Sequence, residues 1–172
     1  MRVAVTGTPG TGKTTATACL ETDLEVVHVN EAIGPEKLYT DVDEGRDGSK
    51  IVDLEALESL LSGREECVIE SHLAHHVEAD RVVVLRCHPE ELERRLLERG
   101  ESEAKASENA ESEAVDVILS EAVDRHGTES VYDIDTTGRT PAAVAGDLEA
   151  VIHGEREPSA GEVDYLSYLN EL

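Results

Sequence analysis

The chain of 172 residues contains no tryptophan and no phenylalanine, and only four of its residues are tyrosine. A hydrophobic core must therefore be built mainly from valine, leucine, isoleucine and alanine, and the length suits one domain. Long apolar runs are also missing, so no segment approaches the length that spans a membrane. Nothing near the first residue resembles a signal peptide, and we expect a cytoplasmic protein.

Cysteine is scarce as well. Cys19, Cys67 and Cys87 are widely spaced and odd in number, and each stands in apolar surroundings. This pattern fits neither a disulfide framework nor a zinc site. We therefore predict that all three are small core residues.

Positive charge is far rarer than negative charge: 15 lysines and arginines stand against 39 acidic residues, for a net charge of −24. The acidic residues are dispersed among periodic apolar positions, which favours a folded protein over a disordered one. Such a composition indicates adaptation to a very salty cytosol, where salt screens the self-repulsion. It disfavours direct binding of nucleic acid, which needs clustered lysine and arginine. If this protein binds a ribonucleoprotein, a basic protein is a better partner for it than the RNA itself.

Short apolar runs alternate with helical patterns along the first 152 residues. Five strands are predicted, at residues 3–6, 26–29, 67–70, 81–86 and 131–134. Longer helices are predicted at residues 13–21, 54–61, 89–99 and 141–152, with another that resumes in the polar segment 101–113 and runs to Gly127. This alternation predicts an α/β fold with a five-stranded parallel sheet covered on both faces. The polar residues 40–49 predict a mobile loop.

A glycine-rich segment follows the first predicted strand and precedes the first predicted helix. Its residues, GTPGTGKT at positions 7–14, fit the phosphate-binding pattern G-x-x-x-x-G-K-[ST]. Glycines let the backbone curl so that its N–H groups point at phosphate oxygens, and the helix N-terminus adds to that attraction. In this pattern Lys13 reaches the β- and γ-phosphates of ATP, and the Thr14 hydroxyl binds Mg²⁺. The segment therefore predicts ATP-dependent phosphoryl transfer.

Glu70 ends the third predicted strand, at the edge where open α/β sheets bind ligands. A carboxylate in this place holds magnesium in P-loop enzymes, so we predict that Glu70 and Thr14 share the metal. His72 stands two residues further on. If the strand persists, its imidazole leaves the same face and orients a phosphoryl acceptor or an attacking water. The alternative is a loop histidine in solvent.

Two further histidines, His75 and His76, raise the question of a metal site. Zinc sites combine histidine with cysteine or carboxylate ligands at characteristic spacings, and the neighbouring sequence offers no matching ligand. We interpret both as loop histidines.

Arginines cluster before Gly100, where the helix that begins at Pro89 is predicted to end. Positive charge must reach the migrating phosphoryl group from the side opposite the phosphate loop. A helix that ends in Arg99-Gly100 and leads into a polar segment is typical of a lid over ATP. Arg95 shares a helix face with Arg99. Surface ion pairing is the alternative, which we favour for Arg94 but not for Arg99.

Four segments together resemble the CINAP-type adenylate kinases, a small archaeal and nuclear family linked to maturation of the small ribosomal subunit. They are the phosphate loop GTPGTGKTT, the segment EKLYTDVDEGRD, the strand end ESH and the series RLLERG…K…EN. The resemblance extends to about Gly127 and more faintly to Ile152. The acidic tail, residues 154–172, is not covered. For it we expect a linker and a short helix docked on the body, with a partner-binding helix as the alternative.

The resemblance implies a P-loop NTPase fold and reversible transfer of the γ-phosphate from ATP to AMP or another nucleoside monophosphate, with a side ATPase activity. It also implies a role in maturation of 16S rRNA, with a small-subunit ribosomal protein as partner. Within a domain of residues 1–153, it places the monophosphate-binding region at about 28–51 and the lid at about 98–108, and Arg99 becomes the lid arginine that contacts ATP. The ATP phosphates would be bound by Gly10, Gly12, Lys13, Thr14 and Thr15.

The sequence departs from the family pattern at two places. The family's Asp-x-His appears as Glu70-Ser71-His72, whose longer carboxylate can still hold magnesium through water. The monophosphate-binding region contains only three candidate cations, Lys37, Arg46 and Lys50.

Three functions stay open at this point. The first is a nucleoside monophosphate kinase that uses Lys13, Glu70, His72 and Arg99. The second is an assembly ATPase in which water attacks ATP, oriented by His72; the scarcity of cations near the acceptor site favours it. The third is a kinase for another acceptor, such as shikimate or dephospho-coenzyme A. The sequence disfavours this last function because it lacks an arginine-rich pocket that would clamp such anions.

Overall fold

The structure, a computed structural model, describes residues 1–33, 39–43 and 49–170, with the backbone alone at residues 33, 39–43 and 49–52. Its strands are β1 (Arg2–Thr6), β2 (Glu25–His28), β3 (Tyr39–Asp43), β4 (Ser49–Val52), β5 (Cys67–Glu70), β6 (Arg81–Arg86) and β7 (Val131–Asp135). Its helices are α1 (Lys13–Thr17), α2 (Val29–Ile33), α3 (Leu54–Leu61), α4 (Pro89–Glu98), α5 (Glu103–Ala114), α6 (Val117–His126) and α7 (Pro141–His153). Short 3-10 helices occupy Ala74–His76, Thr128–Ser130 and Leu166–Asn170.

Five parallel strands form the central sheet, in the order β2-β5-β1-β6-β7. The predicted five-stranded parallel sheet is confirmed. Because β1 lies in the middle, the loop that follows it emerges between the ends of β5 and β6. All five carboxyl ends meet at one edge, where open α/β sheets bind ligands.

Helices cover both faces of this sheet, as the sequence predicted. Alternate residues of each strand point to opposite faces, so Val3 and Val5 pack toward α1 and α7, whereas Ala4 packs toward α3 and α6. Both layers consist mainly of valine, leucine, isoleucine and alanine, as expected for a chain without phenylalanine or tryptophan. Buried on both faces, the strands read as continuous apolar runs.

The first helix is shorter than predicted. It ends at Thr17 and not near residue 21. After Thr17 the backbone bonding changes to the tighter i−3 pattern: Cys19 N–H donates to the Ala16 carbonyl (3.0 Å) and Leu20 N–H to that of Thr17 (3.3 Å). Cys19 therefore lies on the exposed turn after the helix, so the prediction of three core cysteines is wrong for Cys19. Cys67 and Cys87 are buried as predicted, and all three thiols are free.

Two further predictions are wrong. Segment 101–127 is not one late helix but two, α5 and α6, separated at Asp116, whose φ of 57° breaks the helical path. The predicted loop at residues 40–49 is wrong at its two ends, because β3 and β4 pair as an antiparallel ladder through Asp41↔Ile51, Val42↔Lys50 and Asp43↔Ser49. Residues 44–48 of that prediction lie outside the described residues. Thr40 and Val42 in β3 and Ile51 and Val52 in β4 favour that pairing.

The tail returns to the body of the protein. The Asp133 carboxylate on β7 accepts hydrogen bonds from the backbone N–H groups of Gly161 (3.2 Å) and Val163 (3.0 Å). Further on, Tyr168 is buried against Ala110 and Ala114 of α5. The tail therefore covers one side of the helix that follows Gly100.

Candidate active site

The loop between β1 and α1 has the curled backbone that a phosphate site needs. Gly7, Gly10 and Gly12 all have positive φ, and Gly12 caps α1 at φ 91°. Gly10 lies close against α4: a Cβ atom there would stand 2.9 Å from Leu92 Cδ1 and 3.1 Å from Leu96 Cδ2. Only glycine satisfies both the backbone angle and the close approach.

Lys13 lies inside this loop. Its ammonium donates hydrogen bonds to the carbonyl oxygens of Gly7 (2.7 Å) and Thr8 (3.0 Å), and 8% of the residue is exposed. Burial lowers the pKa of Lys13 to about 8; the carboxylates of Glu70 and Glu113 oppose that shift, and the charge of Arg99 adds to it. The two carboxylates compensate the charge of the buried ammonium only in part, and a phosphate group in the loop would supply the remaining negative charge.

The two threonines after Lys13 begin α1 and are exposed. The Thr15 hydroxyl donates to the carbonyl oxygen of Gly12 (3.0 Å) and so closes the loop onto the helix. Thr14 stands beside it on the helix N-terminus, which attracts anions and their bound cations.

Glu70 is the last residue of β5 and is 6% exposed. The sheet register places it between Val5 of β1 and His28 of β2, and His28 Nδ1 lies 2.8 Å from Glu70 Oε2. This hydrogen bond fixes the carboxylate at the ligand-binding edge. Sequence analysis missed His28; its position as the last residue of a neighbouring parallel strand was the signal that could have identified it.

His72 does not extend the strand, because β5 ends at Glu70 and a turn follows. The prediction that its imidazole leaves the sheet on the same face as Glu70 depended on a longer strand, and that condition is not met. The residue is nevertheless near the site: burial and, to a lesser extent, the charge of Lys13 lower the pKa of His72 to about 4. Its imidazole is therefore neutral at pH 7.

His75 and His76 are not loop histidines in solvent. They belong to the 3-10 helix at Ala74–His76, and His75 is 1% exposed, with Nδ1 2.9 Å from the Thr6 hydroxyl. The loop interpretation is therefore wrong, most clearly for His75.

Arg95 and Arg99 face the phosphate loop across a cavity of about 250 Å³. The Arg95 guanidinium bonds to the carbonyls of Gly10 (3.3 Å) and Thr136 (3.2 Å) and pairs with Glu91. Arg99 is exposed, and its guanidinium makes no hydrogen bond or ion pair with the described residues. Arg94 pairs with Glu98 on the surface at 2.7 Å. The wall also includes Thr136, Arg139 and Pro141, which sequence analysis missed because they follow β7, far along the chain.

A buried ionic network joins the phosphate loop to the end of α5. Glu113 accepts a hydrogen bond from the Thr8 hydroxyl (2.5 Å), another from Arg86 Nε (2.7 Å) and a third from the backbone N–H of Cys87 (3.2 Å). The Arg86 guanidinium also pairs with Asp116. Sequence analysis gave no role to these residues, and no local pattern links positions 8, 86 and 113.

The candidate acceptor residues Lys37 and Arg46 lie outside the described residues, as does the side chain of Lys50. Of the helices that the structure describes, none is long and apolar enough to cross a membrane.

Comparison with known proteins identifies the family of the chain. A family model for the AAA domain matches residues 3–116. A protein of Natronomonas pharaonis described as "Putative adenylate kinase" is 62% identical over 169 residues, covering 98% of this chain and all of the relative. A protein of Pyrococcus furiosus with the same description is 38% identical, covering all of this chain and 95% of the relative.

Solved structures agree with the fold. A shikimate kinase from Aquifex aeolicus superposes with a TM-score of 0.51 at 15% identity, over 90% of this chain and 98% of its own. A sulfotransferase from Alicyclobacillus acidocaldarius gives the same TM-score at 14% identity, over 98% of this chain and 88% of its own. The fold is that of the P-loop NTPases, and the chain belongs to the AAA-domain family, together with relatives described as "Putative adenylate kinase".

Proposed function

We propose that the protein is a nucleoside monophosphate kinase that transfers the γ-phosphate of ATP to AMP or another nucleoside monophosphate. The observation that carries this proposal is the position of the Lys13 ammonium, enclosed by the phosphate loop with the Glu70 carboxylate acting on its charge. The names of the relatives support a nucleotide kinase, and the proposal extends that function to this chain.

The loop and the cavity fit a nucleoside triphosphate. Phosphate oxygens would accept hydrogen bonds from the loop N–H groups and replace the carbonyls that now hold Lys13. Arg95, already bonded to Gly10 and Thr136, is fixed in the lining of the cavity, which Arg139 also lines. Gly10, Gly12, Lys13, Thr14 and Thr15 would thus bind the phosphates, with Arg99 closing the site.

The residues at the edge of the sheet also fit magnesium. The Thr14 hydroxyl and the Glu70 carboxylate are oxygen donors, which Mg²⁺ prefers, so these two side chains would hold the ion. When bound, the ion would supply positive charge that offsets the negative charge developing on the phosphates. His28 holds the Glu70 carboxylate in place for this role.

Catalysis in this proposal is positioning and electrostatics. Transfer breaks the bond between the γ-phosphorus and the oxygen that links it to the β-phosphate, and it forms a bond to a phosphate oxygen of AMP, giving two ADP. Lys13 and Arg99 stabilise the migrating group from opposite sides. His72, being neutral, can orient the acceptor by a hydrogen bond without adding charge. No covalent enzyme intermediate is required.

A second candidate is a switch ATPase, in which water attacks ATP and His72 orients that water. The observation in its favour is the scarcity of cations in residues 28–51, where Lys37, Arg46 and Lys50 are the only lysines or arginines. The small-subunit ribosomal partner, the role in 16S rRNA maturation, the cytoplasmic location and the adaptation to high salt stay predictions.

The test is ADP formation from ATP and Mg²⁺ in molar KCl, with and without AMP, with Lys13→Ala as the blank. A nucleoside monophosphate kinase shows a large AMP-dependent rate that reverses when ADP alone is supplied. A slow rate indifferent to AMP contradicts the kinase proposal and supports the ATPase. In that case His72→Ala should lower the ATPase rate more than the affinity for ATP.

A further inference from the structure

Three side chains with metal-binding atoms converge on the face of the sheet covered by α3 and α6. His75 and His76 lie on the 3-10 helix after β5, and Glu121 lies on α6, 45 or more residues along the chain. His75 Nε2 is 2.9 Å from Glu121 Oε2, and His76 Nε2 is 4.0 Å from the same oxygen. All three ligand atoms lie within 4.8 Å of one another.

We propose that His75, His76 and Glu121 form a binding site for a divalent transition metal of the zinc class. Two imidazoles and one carboxylate are a ligand set that zinc uses when a fourth position is left to water. Around a tetrahedral zinc ion, ligand atoms at about 2.0 Å from the metal stand roughly 3.3 Å apart. Two of the observed separations, 2.9 and 4.0 Å, lie on either side of that spacing, and all three are within 4.8 Å. Movements on the order of 1 Å would therefore complete the site.

The surroundings hold His75 in the orientation that a ligand needs. Its Nδ1 is bonded to the Thr6 hydroxyl at 2.9 Å, which leaves Nε2 directed at Glu121. Its backbone carbonyl accepts a hydrogen bond from His126 Nε2 at 2.8 Å. Metal-binding histidines generally have such a partner on the second ring nitrogen. In the structure His75 Nε2 donates to the Glu121 carboxylate; a bound ion would take the place of that proton, and Nδ1 would then donate to the Thr6 hydroxyl.

Solvent can reach the site from one side. His75 is 1% exposed, but the side chains of His76 and Glu121 are 28% and 50% exposed. This opening gives an entry path and room for a water ligand. The positive charge of Arg125 acts on the His76 imidazole and would oppose a cation there, but Arg125 already faces Glu78 at 3.7 Å.

Metal binding would connect three parts of the protein. It would link α6 to the segment that follows Glu70 and His72, and through His75 and Thr6 it would brace the end of β1, one residue before the phosphate loop. Its chemistry differs from that of the predicted magnesium site, which offers oxygen donors only. The two sites can therefore be distinguished by metal preference.

The experiment uses the full chain with Cys19→Ser, because Cys19 is an exposed thiol that could bind zinc by itself. After chelator treatment and desalting, Zn²⁺ is titrated by calorimetry, and Co²⁺ by its visible absorption, in molar KCl with millimolar Mg²⁺ present to occupy oxygen sites. We expect one metal per chain, a tetrahedral Co²⁺ spectrum and a higher melting temperature with Zn²⁺.

Variants locate the ion. His76→Ala and Glu121→Gln should each weaken binding at least tenfold, while the exposed controls His153→Ala and Glu58→Gln leave it unchanged. Circular dichroism checks that each variant folds. The absence of 1:1 binding, or binding that survives both ligand variants, would overturn the proposal and leave Glu121 as a hydrogen-bond acceptor for His75. Neither readout depends on ATP, so the result is independent of the proposed kinase activity.

Discussion

The arm formed by α4 and α5, residues 89–114, is held to the protein differently at the turn between its helices and at its base, the end of α5. At its turn, Arg99 and Gly100 are exposed, and the Arg99 guanidinium has no hydrogen-bond or ion-pair partner among the described residues. At its end, Glu113 is 3% exposed and bonds to Arg86, to Thr8 and to the backbone N–H of Cys87. The turn is available to a ligand, and the base is fixed to the phosphate loop.

This difference suits an arm that must close over a ligand at its turn while its base keeps a fixed position on the protein. A buried ion pair stabilises little in net terms, but breaking it is costly because the remaining charge has no compensation. The arm therefore keeps a fixed base beside Thr8, whereas its turn can present Arg99 to the phosphates. The predictions below test the base first and the turn afterwards.

The largest effect is expected at the base. Glu113→Ala should lower the free energy of unfolding by about 3–5 kcal/mol, since Arg86 would keep a buried charge with only Asp116 to balance it. Urea unfolding in molar KCl measures this loss. Glu108→Ala, on an exposed position of the same helix, is the matched control and should change stability by less than about 0.5 kcal/mol. A loss below 1 kcal/mol for Glu113→Ala would show that the base is not fixed by this network.

A moderate effect is expected at the turn, on rate and not on stability. Arg99→Ala should slow phosphoryl transfer on the order of a hundredfold, because a cation that stabilises the migrating group would be lost. The dissociation constant for ATP should change much less, since Lys13 and the loop supply the ground-state contacts. Steady-state kinetics and equilibrium ATP binding measure the two quantities.

Arg94→Ala is the control for Arg99, because Arg94 lies on the helix that Arg99 caps and, among the described residues, forms an ion pair with Glu98 alone, on the surface. It should leave both quantities near those of the unaltered protein. If Arg99→Ala weakens ATP binding as much as it slows transfer, Arg99 belongs to the fixed wall with Arg95, and the contrast between turn and base is lost.

The sequence predicted those parts of the site whose contacts lie within a few residues. Lys13 bonds to Gly7 and Thr8, and the pattern of positions 7–14 is sufficient to place it. The five strands were equally accessible, because each is a short apolar run between turn signals. The α5–α6 break could not be predicted, since Asp116 is held by Arg86, 30 residues away. His28 beside Glu70 and Glu121 beside His75 likewise meet only through the sheet order and the packing of α6.

The smallest effect is expected from the backbone of the turn itself. Gly100 has φ 89°, and a Cβ atom there would meet nothing within 4 Å, so Gly100→Ala tests conformation alone. We expect a loss of roughly 1 kcal/mol in the free energy of unfolding, because an L-residue is strained in this region. Gly146→Ala is the matched control: its added Cβ also meets nothing within 4 Å, but its φ is ordinary and it lies inside α7. That change should stabilise by about 0.4–1 kcal/mol. Opposite signs for the same substitution would show that the turn of the arm is set by its backbone; equal signs would show that Gly100 relaxes freely, and that the arm is ordered only from its base.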